Sequence, residues 1–218
     1  MPTAATDHAG TTPLVVACGA LVAELRTVLA TAGLADAIDV QYLPANLHNR
    51  PEGIVAAVTE VLAAHGALDH TSARPVLLGY ADCGTGGGLD SFIAAHPHIT
   101  RLPGAHCYEF FAGGEAFAAL HEAELGTFYL TDFLALHFEA LVWQGLGLHQ
   151  HPQLRDMYFG NYRRVVLLSQ RDDAEVVAAG QRAAHMLGLE FHHHPTGHRH
   201  FADAVSVGLA PRATGKAA

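Results

Sequence analysis

The sequence predicts an α/β fold, a Rossmann-like open, mostly parallel sheet flanked by helices. Three observations predict it. Short runs rich in Val, Leu and Ile recur from residue 13 onward, as strands buried on both faces do. Between them lie stretches of helical length whose apolar residues recur at helical spacing. The two kinds of segment alternate without an internal repeat or a Pro/Gly/Ser-rich linker, the pattern of βαβ units in one domain.

PLVVA (13–17) reads as the first buried strand. ALVAELRTVLATAG follows as a helix, with Leu21, Leu25, Val28 and Leu29 on one face and Gly33 as its stop. AIDVQYLP alternates like a strand. Pro51 then opens PEGIVAAVTEVLAAHG, a helix with proline in its first turn and Gly66 after its end. RPVLLGYA is the third strand and GGLDSFIAAH a short helix. HITRLP is a fourth extended piece, entering HCYEFFAGGEAFAAL. TFYLTDFLALHFEALVWQGLG reads as an extended segment and then a helix carrying Leu134, Phe138, Leu141 and Val142. RRVVLLSQ is the fifth clear strand. Acidic residues open the helix DDAEVVAAGQRAAHMLG, where they suit the dipole. LEFHHHP is a sixth strand. One domain over 13–208 is expected, with loose tails at 1–12 and 209–218.

Composition narrows the function. The 218 residues are half hydrophobic, enough for a substantial core. Net charge is −9 and the only lysine is Lys216. Nucleic acid and anionic membrane surfaces, which demand clustered cations, are therefore not expected partners. No stretch approaches a membrane-spanning length of apolar residues. MPTAATDHAGTT lacks the basic and apolar regions of a secretion signal. A cytoplasmic location is expected, and with it reduced thiols for the three cysteines. The interrupted HHHPTGHRH stretch reads as a solvated strand and loop.

The cysteines are placed alike. Cys18 follows the first strand, Cys83 follows the third, and Cys107 lies just past the fourth extended piece. The carboxyl ends of parallel strands share one edge, and ligands bind along it. An isolated cysteine is ordinarily a small core hydrophobe. Three at strand-to-helix junctions point instead to a shared site. His48, in LPANLHNRP after the second strand, belongs to the same rim, and His106 competes with it beside Cys107. Unpaired N–H groups at a helix start favour the thiolate that ligates metals. Zinc accepts three cysteines and a histidine, while an iron–sulfur cluster on three thiolates keeps one iron open. Cys18, Cys83, Cys107 and His48 are thus the expected metal ligands. Glu109 and His106 are the expected proton-handling groups; Glu115 reads as a solvated helix carboxylate and Tyr129 as core or rim.

GYADCGTGGGLD (79–90) offers a competing reading. Asp82, Gly84, Gly86 and Gly88 have the spacing of a nucleotide- or S-adenosylmethionine-binding turn between a strand and a helix. Such sites expect an acidic residue ending the next strand, and HITRLPGAHC has none. The glycines, Gly84 and Gly86 among them, are read instead as a turn shaped around Cys83, whose N–H groups tune a bound cofactor.

ACGAL, YLPANLHNRP, LLGYADCGTGG, LPGAHCYEFF and GTFYLTDF, in this order over roughly 14–205, resemble domain-of-unknown-function family 1638. The family's recurring polar residues fall on Cys18, His48, Cys83, His106 and Cys107. The resemblance implies an association with corrinoid-dependent methyl metabolism. The chain departs from the family in its glycine-rich turn and histidine-rich tail.

The expected function is a metalloenzyme with zinc or an iron–sulfur cluster, acting on a small sulfur- or methyl-containing substrate. A corrinoid protein or a second copy of the chain is the expected partner. The alternatives are a non-catalytic metal or corrinoid accessory protein and an S-adenosylmethionine-dependent methyltransferase using the Asp82–Gly88 loop.

Overall fold

The structure is a computed structural model and describes residues 12–69 and 74–210. Residues 1–11, 70–73 and 211–218 lie outside the described residues, and most of both expected tails falls among them. The open parallel α/β architecture is as the sequence predicts, in the form of two sheets. The chain gathers into two compact units. Met1–Pro103 and Asp203–Ala218 form the first and Gly104–Ala202 the second, where the sequence reading expects one domain over 13–208.

The first unit holds β1 (Leu14–Cys18), β2 (Asp39–Leu43), β3 (Val76–Gly79) and β4 (Ile99–Arg101). All pairs are parallel, in the order β2-β1-β3-β4. Central position explains composition: Leu14 to Ala17 and Val76 to Leu78 are buried, and each burial of a Val or Leu side chain contributes about 1.5–3 kcal/mol. Gly79 is small for a reason. A Cβ there would stand 2.6 Å from the Ala17 Cβ, so β1 and β3 approach more closely than two side chains allow.

After β1 the chain crosses to one side to make β2, and then to the other side to make β3. The carboxyl ends of β1 and β3 therefore flank the point where strand order reverses, the place where open parallel sheets form a crevice.

Helices α1 (Val22–Thr31), α2 (Ile54–Ala64) and α3 (Gly88–Ala95) make the crossovers. Ile54, Val58 and Leu62 of α2 recur at the helical spacing of four and are all buried, in one cluster with Leu14, Val16 and Leu89. Arg101, ending β4, forms a two-pronged ion pair with Asp90 of α3, at 2.6 and 3.0 Å. This pins the short β4 to the helix before it.

The second unit contains α4 (Cys107–Ala112), α5 (Gly114–Ala123), β5 (Thr127–Thr131), α6 (Asp132–Leu136) and α7 (Leu154–Phe159). Then come β6 (Arg164–Ser169), α8 (Ala174–Leu187) and β7 (Glu190–Pro195), and α9 (Arg199–Leu209) begins there. The sheet is parallel with order β5-β6-β7. Central β6 is buried from Val165 to Ser169, while His192 and His193 of edge strand β7 are exposed. Val176, Ala179, Ala183 and Leu187 on one face of α8 share a buried cluster with Val165 and Leu167.

Three details differ from the sequence reading. The expected helix through Val142 is the short α6 followed by a π-type turn over Glu139–Gln144. α7 was not anticipated, because its six residues span too few turns to show a period. HHHPTGHRH continues into α9, not into loop: Phe201 and Val205, four apart, are its buried positions, and Gly208 sits where a Cβ would be 2.6 Å from Leu77. Among the described residues no helix is long and apolar enough to cross a membrane.

Candidate functional site

The carboxyl edge of the first sheet gathers thiols and a phenol. Cys18 is the last residue of β1 and caps the 3-10 turn Gly19–Leu21, its Sγ accepting the Ala20 N–H at 3.5 Å. Cys83 sits in the turn between β3 and α3. Both are half-buried free thiols. Tyr80, one residue past β3, is 2 % exposed, and its hydroxyl has no hydrogen-bond partner of sound geometry. β1 and β3 pair with Ala17 opposite Gly79, so the next residues, Cys18 and Tyr80, emerge side by side.

Proximity governs their ionisation. Burial pushes the Cys18 thiol up, more than the Ala20 N–H and the Tyr80 hydroxyl draw it down. Burial, and then the neighbouring Cys18, push Cys83 up to about 12, against the Ala81 backbone and Arg101. Tyr80 is raised by burial and then by the two cysteines. The helix-start stabilisation of a thiolate expected from the sequence is thus outweighed by desolvation. At neutral pH both sulfurs carry protons.

The glycine loop is closed by its own carboxylate. Asp82 Oδ1 accepts the Thr85 hydroxyl at 2.6 Å and the Gly87 N–H at 2.9 Å, and Oδ2 accepts the Gly86 N–H at 3.1 Å. These bonds, Thr85 foremost, hold the Asp82 carboxyl below its usual range. Two of the N–H groups that a phosphate would need are occupied within the loop. Gly84 faces Pro51, which a Cβ would meet at 3.4 Å. Gly84 and Gly86 therefore serve the turn. Cys83 itself has φ +50°, alone among described non-glycine residues in this region. That conformation costs roughly 1–2 kcal/mol for an L-residue.

The other expected site residues are placed as follows. His48 is exposed, in the 3-10 turn Ala45–Asn49 after β2. Cys107 is the first residue of α4 and His106 its exposed N-cap, both in the second unit. Glu109 accepts the Ala105 N–H at 2.7 Å and the His106 N–H at 3.4 Å, closing the start of α4 as a helix cap. That gives Glu109 a structural task at the start of the helix. Among the described residues, no group of three or more His, Cys, Asp and Glu side chains is gathered so as to hold a metal ion. The pair brought together is Cys18 with Cys83.

Sequence reasoning missed two sets of residues. Tyr80 ends an apolar run and reads as core. The other set lies at the carboxyl edge of the second sheet, where Asp132, wholly buried after β5, accepts the Gln170 N–H at 2.9 Å and the Arg171 N–H at 3.0 Å. The Arg171 guanidinium adds a bond at 3.1 Å, and Gln170 Oε1 accepts the Asp132 N–H at 3.1 Å. His198, after β7, is lowered by burial although Asp132 opposes the shift. A polar residue directly after each apolar run was the available signal.

Parallel sheets flanked by helices, with the candidate site at a strand-order reversal, define an open α/β protein. The chain belongs to the family described as Protein of unknown function (DUF1638), whose model matches residues 42–205. The match bears out the resemblance read from the sequence motifs and begins in β2. No curated protein and no solved structure matches the chain.

Proposed function

We propose that the protein is a cytoplasmic metalloenzyme that holds a thiophilic metal, zinc or an iron–sulfur cluster, on Cys18 and Cys83. Its substrate in this reading is a small sulfur- or methyl-containing molecule. One observation carries the proposal: two free thiols neighbour each other at the carboxyl ends of β1 and β3, on either side of the strand-order reversal. Thiolate donors select such metals over magnesium or calcium. The donor set fits. Two protonated thiols in a desolvated crevice release their protons when a metal binds, which makes affinity rise with pH. The buried Tyr80 hydroxyl, which already draws the Cys18 thiol down, is placed to donate to a ligating sulfur. A bound metal would supply Lewis acidity toward the substrate. The chain's own contribution is to fix Cys83 through the Asp82-closed turn.

The S-adenosylmethionine reading has less support, since Gly86 and Gly87 direct their N–H groups at Asp82. The test is metal analysis with visible spectroscopy on anaerobically purified protein. Stoichiometric zinc, or a brown cluster, is expected, and Cys18→Ser with Cys83→Ser abolishes it. Cys107→Ser and His48→Ala report whether the ligand set extends further. Native protein free of metal, or a double variant that keeps its metal, sinks the proposal.

A further inference from the structure

The second unit contains a cavity of about 510 Å³ that neither the thiol pair nor the Asp132 network touches. Its volume falls in the range of small-molecule sites. One wall is a cluster of Tyr108, Phe117 and Tyr129, with ring centroids between 5.0 and 6.2 Å apart. The other is built on Phe128, with Tyr162 edge-on to it at 5.8 Å and Tyr158 beside them.

Phe128 and Tyr129 are consecutive in β5, and consecutive strand residues point to opposite faces. Tyr129 accordingly packs with Val166 and Leu168, and Phe128 with the cluster around Val165 and Leu167. The cavity therefore wraps one border of the sheet. β5 is the terminal strand of the order β5-β6-β7, so alternate N–H and C=O groups on its outer side have no strand partner.

Chemistry narrows the occupant. No Asp, Glu, Lys or Arg is among the described lining residues, so a ligand meets no permanent charge there, and His106 and His121 of the lining add imidazole nitrogens that donate or accept hydrogen bonds. Aromatic walls favour flat rings, which they meet by offset or edge-on stacking. The strand border and the Asn161 side chain, also in the lining, offer paired donors and acceptors. The Tyr129 hydroxyl is buried among these rings without a hydrogen bond of sound geometry. At the rim, Leu125 is 72 % exposed and Tyr158 43 %. Large apolar side chains held in water beside a cavity are the mark of a binding surface.

We propose that this cavity binds a planar, uncharged heteroaromatic or lactam-bearing molecule of roughly two fused rings, stacked between the aromatic walls and hydrogen-bonded to the border of β5. The site is independent of the thiol pair.

The test titrates the full chain with carbostyril, a planar bicyclic lactam, followed by calorimetry and saturation-transfer NMR. The controls are its ring-saturated analogue, naphthoate and tetramethylammonium. Carbostyril is expected to bind saturably, at least about tenfold more tightly than each control, a discrimination of roughly one stacking or hydrogen-bonding interaction. Asn161→Ala and His121→Ala, both at exposed positions, are expected to weaken it about fivefold or more while melting stays unchanged. Cys18→Ser is expected to leave it intact. Four results overturn the proposal: no saturable binding, equal affinity for the saturated analogue, preference for either ion, or carbostyril binding that both variants leave untouched.

Discussion

The carboxyl edges of the two sheets solve the same problem in opposite ways. Both are strand ends of parallel sheets, where backbone and side-chain polar groups need partners. At the second sheet Asp132 is wholly buried yet accepts three hydrogen bonds, and Gln170 returns one. At the first sheet two desolvated thiols, a buried phenol beside the Cys18 sulfur and a residue at positive φ sit together. A satisfied network ties strands to one another. An unsatisfied cluster held in strain is what a fold keeps when something else completes it.

Substitutions should therefore act with opposite sign at the two edges. The largest effect is expected at Asp132→Ala, which strips three donors of their acceptor. Leaving those donors unsatisfied costs about 1–3 kcal/mol, read by urea denaturation, the half-exposed Arg171 guanidinium turning to water instead. A loss under about 1 kcal/mol would make the network ornamental and erase the contrast.

The thiols come next. With Cys83 pushed up to about 12, its alkylation by iodoacetamide at neutral pH should be at least ~10-fold slower than that of an unfolded reference cysteine. The folded value lies above the unfolded one. The associated stability is therefore present below the unfolded thiol range and is lost as pH rises toward 12. Cys83→Ser should remove that alkaline decline. Rapid alkylation at neutral pH would show a solvated thiol and undo the comparison.

Cys83→Gly should raise stability by about 1 kcal/mol, since glycine takes the left-handed conformation without penalty, while metal content falls. Stability gained with a ligand lost is the signature of strain kept for function. Destabilisation would instead show that the packing of Cys83 against the first core outweighs the strain.

The smallest effect concerns Asp82, whose carboxyl is lowered chiefly by Thr85. A depressed carboxyl stabilises the fold above its unfolded value and loses that contribution as pH falls through the folded one. Asp82→Asn should flatten the acid limb of the stability profile by lowering the neutral plateau slightly, with no change at low pH, where the wild-type carboxyl is already protonated.

The fold was legible because central strands of a parallel sheet must be apolar on both faces, which PLVVA, RPVLLG and RVVLLS display in a single row. The positions of Cys18 and Cys83 followed from that topology. Tyr80 was hidden, because a tyrosine ending an apolar run has the same pattern whether its hydroxyl is bonded or not. The capping bonds of Glu109 were hidden, because a helix cap and a general base place the same residue type at the same point. The two compact units left no mark in composition: the chain passes from one to the other at Pro103–Gly104 and again at Ala202–Asp203 without a linker run.

The Asp82-closed turn also bears on kinetics. A loop that binds its own carboxylate is already in its final shape before any ligand arrives, so its ordering entropy falls on folding and not on association. Loading of Cys18 and Cys83 should then follow a single exponential whose rate rises linearly with metal concentration. It should lack the plateau that a slow loop rearrangement imposes.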